Sequence, residues 1–76
     1  MKLYVTFGQT HAHNVNGKTF DRDSVCEIEC DNYDHGWHIA SEAFDTKYFA
    51  LYSQDEIKPK MEYFPRGIIP LGEYHV

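Results

Sequence analysis

The chain is short of basic residues. Seven Lys and Arg stand against twelve Asp and Glu, a formal net charge of −5. A protein that grips nucleic acid directly draws most of its affinity from neutralised phosphates. The balance therefore argues against direct nucleic-acid binding and for a partner with a basic surface. Cysteine is scarce too, with two in the chain. Cys26 and Cys30 fall four apart in a predicted strand, which sets their Cα atoms about 13 Å apart, beyond the ~7 Å reach of a disulfide. Reduced thiols packed like small apolar groups, and a cytoplasmic location, are the expectation. No apolar run approaches the ~20 residues that span a bilayer, so no membrane partner is expected. The opening Met-Lys-Leu-Tyr-Val-Thr-Phe-Gly alternates too tightly for a signal peptide. Gly-x-Ser-x-Gly, glycine-rich phosphate loops, Cys-x-x-Cys and His-x-x-x-His are all missing. Without them the sequence supplies no elbow nucleophile, nucleotide cradle or familiar zinc spacing. The reading is non-enzymatic, with no catalytic residue and no cofactor assigned.

What is present is enough to fold. The chain is 42% hydrophobic and 16% aromatic over 76 residues, which makes one domain, 1–76. At that size roughly 60–65% of the unfolded chain's surface is buried, leaving one modest core. Residues 2–7 alternate, with Leu3, Val5 and Phe7 on one face, and predict a half-buried strand. Asn16-Gly17 between Val15 and Lys18 predicts a hairpin with a type I′ turn, because both residues tolerate positive φ. Residues 25–30 predict a strand with Cys26, Ile28 and Cys30 inward and Val25, Glu27 and Glu29 on a wet face. Asp31 or Asn32 caps a helix over 33–44, whose Tyr33, Trp37, Ala40 and Phe44 fall on one stripe. Gly36 fits a close approach to the sheet. Residues 48–52 predict a strand, 54–60 a charged loop broken by Pro59, and Ile68-Ile69 a short edge strand. The fold class is α+β: a small sheet of three to five strands with one helix packed on one face, in the order β-(β)-β-α-β-β. If the strands at 25–30 and 47–52 are neighbours, the helix is a right-handed crossover.

Several clusters invite chemistry. Asp21, Asp23, Glu27, Glu29, Asp31 and Asp34 crowd one stretch against a single base, Arg22. Glu27 and Glu29 on one strand face lie roughly 6.6–7 Å apart. That is close to the phosphate spacing of a nucleic-acid strand, so the face could imitate DNA toward a basic groove. The plainer reading is a solvated outer face that keeps a small protein dispersed. Tyr63, Phe64, Arg66 and Tyr74 are of the types that anchor protein interfaces, against a plainer role closing the core. Five histidines are many for this length. His11 and His13 share a strand face and could be two corners of a metal site. His35 and His38 lie near only Asp34 and Glu42. Solvated or hydrogen-bonded histidines outweigh the metal reading, so His11 and His13 stay weak metal candidates. A Cys–His pair is disfavoured because buried thiols are inert, and exposed Glu27 and Glu29 lack the desolvation that acid–base work needs.

Three strings carry a family resemblance: Val15-Asn16-Gly17-Lys18-Thr19-Phe20-Asp21, Ala40-Ser41-Glu42-Ala43-Phe44 and Tyr63-Phe64-Pro65-Arg66-Gly67. Together they resemble small uncharacterised proteins encoded by bacteriophages and prophages. The resemblance implies no catalytic residue. It implies a context, the cytoplasm of a bacterial host, where such proteins block or redirect a nuclease, CRISPR or restriction complex. The resulting expectation is an acidic inhibitor that occupies a basic surface on a host protein. Glu27, Glu29, Asp31 and Asp34 would steer it, and Tyr63, Phe64 and Arg66 would anchor it. A histidine-based metal-binding domain or small metalloenzyme is the alternative. A third reading is a structural phage component, a homodimer or larger oligomer, that self-associates through an open sheet edge.

Overall fold

The computed structural model describes residues 1–9 and 12–72. In chain order it contains β1 (Lys2–Thr6), β2 (His13–Val15), β3 (Lys18–Phe20), β4 (Ser24–Glu29), α1 (Tyr33–Phe44), β5 (Ala50–Ser53), a short α2 (Gln54–Ile57), a 3-10 helix (Lys58–Tyr63) and β6 (Gly67–Pro70). The α+β class holds, with a four-stranded sheet ordered β5-β1-β4-β6 and a separate two-stranded β2-β3 hairpin. The condition for a simple crossover is not met, because the strands at 25–30 and 47–52 are not neighbours. β1 lies between β4 and β5 and runs antiparallel to both, while β6 runs parallel to β4. The β4–α1–β5 unit is thus a split crossover, with the first strand of the chain inserted at its centre.

The hairpin forms at Asn16-Gly17, whose φ values of 54° and 74° are those of a type I′ turn. It delivers Phe20, which is fully buried, against Phe44 at 5.6 Å in edge-to-face geometry. Phe7 joins the same cluster at 4.9 Å from Phe44. Leu3, Val5, Cys26, Ile28, Ile39, Ala40 and Leu71 complete the principal core between α1 and the sheet.

Helix α1 spans the predicted residues and is capped by Asn32, whose Oδ1 accepts from the His35 N–H at 2.8 Å. Its buried stripe runs through Gly36, Ile39, Ala40 and Phe44. Tyr33 and Trp37, expected on that stripe, are 52% and 46% exposed. Gly36 explains the shift. A Cβ there would overlap Leu3 Cδ1 and sit 3.0 Å from Cys30 Sγ, so the helix backbone rests directly on the sheet. The contact line then follows the small residues, and Trp37, about 100° further round the helix, is turned aside.

The other face of the sheet is covered as well, which overturns the expectation of a single helix on one side. Residues 54–60, read as loop, instead form α2 and the start of the 3-10 helix. Ile57 plugs a second cluster with Tyr4 and Val25, flanked by Tyr52, Met61 and Phe64. Val25, expected on the wet side, is fully buried there. Pro59 does not break this segment, because a proline in the first turn costs no backbone hydrogen bond.

Candidate functional site

The acids around β4 do not form one patch. Asp21 and Asp23 precede the strand, and Asp31 and Asp34 follow it. A strand of that length holds the two groups roughly 20 Å apart. Glu27, opposite Tyr4 in the register, is half-buried. Its Oε2 accepts from the Tyr4 hydroxyl at 3.2 Å, and its Oε1 lies 3.7 Å from Lys2 Nζ. Burial raises the Tyr4 pKa first, and the neighbouring carboxylates of Glu27 and Glu29 raise it further. Glu29 is exposed, as are Asp34 and Asp31, the last 3.7 Å from His35 Nδ1. The phosphate-like pair is therefore unequal: Glu29 faces water, while Glu27 is engaged within the sheet.

Tyr63 and Phe64 meet elsewhere, at the end of the sheet where β1 leaves and β4 and β5 begin. An open groove of about 430 Å³ there is lined by Phe7, Gly8, Gln9, Arg22, Asp23, Phe49, Tyr63 and Phe64. Each wall has a local cause. Phe7 is fixed in the core. Phe49 is set by its N–H, which donates to Thr6 O at 2.8 Å. Phe64 leans on the second cluster. Tyr63 ends the 3-10 helix, which closes when the Phe64 N–H bonds Met61 O at 3.0 Å. Phe49 and Tyr63 are 72% and 69% exposed. Arg22 is exposed and in no ion pair among the described residues.

Arg66 serves this groove indirectly. Its Nη1 lies 3.1 Å from Asp21 Oδ2, and its backbone N–H donates to Asp23 O at 2.9 Å. The same 21–24 turn is knotted by the Ser24 hydroxyl, which donates to Asp21 O and accepts from Asp21 N–H. Arg66 thus clamps the segment that presents Arg22 and Asp23. Phe49 is the groove residue that sequence reasoning missed, having been absorbed into the strand at 48–52. An aromatic on both phases of a short strand (Tyr48, Phe49, Tyr52) was the available signal, since one phase must face outward.

His13 and the two thiols are occupied in other ways. His13 Nε2 lies 2.8 Å from Lys47 O, so that nitrogen is the donor, and its ring packs on Phe44 at 5.2 Å. His11 and Tyr74 lie outside the described residues. Among the described residues, no three His, Cys, Asp or Glu side chains converge as a metal site would require. Burial pushes the Cys26 thiol up to about 12 from 9.0, with Lys18 opposing and Glu27 reinforcing. Burial also raises Cys30. Both are free cysteines, and both are protonated at neutral pH, the wrong state for a nucleophile. No helix is long and apolar enough to cross a membrane among the described residues. No family model, curated protein or solved structure matches the chain.

Proposed function

We propose that this chain is a small binding module that docks on a host protein. The groove between Phe49 and Tyr63 would be its anchor, and its acidic surface would guide the approach. One observation carries the reading: two large rings, Phe49 and Tyr63, stand mostly in water and both line one open, mainly apolar cleft. A small domain gains nothing in stability from holding them there, and rings of this kind dominate binding energy once a partner desolvates them. The net charge of −5 and the exposed Glu29, Asp31 and Asp34 favour a basic partner surface and speed the encounter. Glu27 contributes charge but is tied to Tyr4 and Lys2, so nucleic-acid mimicry by the Glu27–Glu29 pair is the weaker part of the idea. The resemblance to bacteriophage proteins supplies the context of an inhibitor of a bacterial nuclease, CRISPR or restriction complex.

The test is a titration against the protein that the chain retains from bacterial lysate. Phe49→Ala/Tyr63→Ala is expected to weaken binding at least about tenfold, with an unchanged melting temperature. Glu29→Lys/Asp31→Lys is expected to slow association, most at low salt. Affinities unaltered by the aromatic pair would overturn the groove as the anchor.

A further inference from the structure

The two edges of the main sheet differ. At β6 the strand ends in Pro70, which has no N–H, and the hairpin closes over it. Lys18 Nζ donates to Pro70 O at 2.6 Å, and Asn16 Nδ2 donates to Leu71 O at 3.0 Å. Proline and charge are the usual devices for blunting a sheet edge. β5 has neither along its sequence Ala-Leu-Tyr-Ser, and all of its residues are partly exposed.

The direction of its backbone groups follows from β1. Cys30 N–H donates to Met1 O at 2.9 Å. Met1 therefore turns its backbone to β4, and by alternation so do Leu3 and Val5. Tyr4 and Thr6 then face β5, where their partners are Tyr52 and Ala50. Leu51, between those two, must turn its N–H and C=O outward. Ser53 has the same parity, and its N–H indeed leaves the sheet to donate to Glu56 Oε1 at 3.0 Å. Among the described residues the edge thus offers one donor and one acceptor at its middle, on a single residue.

We infer that the occupant of this edge is the β5 strand of a second copy, antiparallel, with a two-fold axis at Leu51. The strand is self-complementary about that point. Leu51 N–H and C=O exchange with the same groups of the copy, as a hydrogen-bonded antiparallel pair requires. Ala50 falls opposite Tyr52 of the second copy, a small side chain beside a ring. Charge agrees. Lys47 precedes the strand, in no ion pair among the described residues, and exposed Asp55, 4.0 Å from Lys58 Nζ, and Glu56, bonded to Ser53 N–H, follow it. Antiparallel pairing brings Lys47 of each copy toward Asp55 of the other, at both ends of the interface. The two sheets then join into one. A strand this short makes a weak, concentration-dependent dimer, not a permanent one. The inference is separate from the groove and stands or falls without it.

Sedimentation equilibrium from micromolar to millimolar protein tests it, paired with amide hydrogen exchange at both extremes. The expected result is a mass rising toward twice the monomer, with exchange at Leu51 slowing as concentration rises and at Ile68 and Ile69 unchanged. Lys47→Glu is expected to weaken the dimer roughly fivefold at low salt, because two exposed ion pairs turn repulsive. Lys47→Glu/Asp55→Lys is expected to restore it. A monomer throughout overturns the inference, as does a dimer with no concentration effect at Leu51. A double variant no tighter than the single one also overturns it. Protection of Leu51 by a different protein, without self-association, removes the second copy as the occupant.

Discussion

Thr6 is the one buried side-chain hydroxyl without a hydrogen-bond partner among the described residues. It lies on the second face of β1, opposite Ala50 on one side and Val25 on the other, and is 3% exposed. A buried hydroxyl with no partner costs about 1–3 kcal/mol. Thr6→Val keeps the branched shape and removes that cost, so the variant is expected to gain about 1 kcal/mol. The reading is a higher urea midpoint with the same slope. A midpoint at or below the parent's would show that the hydroxyl is satisfied. Other single residues were only partly legible in the sequence. Tyr63 and Phe64 stood out by type and do line the groove. Arg66 stood out too, but its clamp on Asp21 depends on a turn whose geometry no spacing announces. Alternation places Glu27 on the outer face of its strand, but it does not show that Lys2 and Tyr4 of the neighbouring strand reach across to meet it.

Among the elements, α2 owes its existence to a capping box. Ser53 Oγ accepts from Glu56 N–H at 3.3 Å, and the Glu56 carboxylate accepts from Ser53 N–H. Donation to the carboxylate from the Ser53 backbone N–H first, and from the Ser53 side chain second, holds the Glu56 carboxyl below its usual range. Ser53→Ala is expected to cost about 1 kcal/mol. It is also expected to let the Glu56 pKa rise, which a carboxyl NMR titration measures; no loss of stability would mean that α2 is held by Ile57 packing alone. The box was visible as Ser-x-x-Glu in the sequence, yet Pro59 and the surrounding charge made the segment read as loop. Helix α1 and the strands around it were legible because period and caps are local properties. Strand order was not, since β1 enters between β4 and β5 through contacts that no short window contains. The helix phase failed for a related reason: Gly36, not the aromatics, decides which line touches the sheet.

At the scale of the molecule, the protonated Cys26 and Tyr4 tie stability to pH. Both hold their protons in the fold beyond the pH at which the unfolded chain releases them. Above that point the unfolded state binds fewer protons, so stability falls as pH rises. The Cys26 contribution is whole below its ordinary 9.0 and is lost progressively as pH climbs through about 12. Thermal melts at pH 7, 9 and 10.5 are expected to show this alkaline decline, and Cys26→Ala is expected to flatten it. Equal slopes for parent and variant would remove the thiol from the account. Acid behaves in the opposite sense: the depressed Glu56 favours the fold above its ordinary 4.5 and loses that effect as pH falls through its folded value.

The central place of β1 has a consequence for synthesis. β1 is synthesised before both of its sheet neighbours, β4 and β5. Its apolar face, Leu3, Val5 and Phe7, waits in the nascent chain while the hairpin and α1 emerge. The sheet cannot close around β1 until β5 has also been made, so a nascent chain that lacks Ala50–Ser53 would keep one edge of β1 open and protease-accessible.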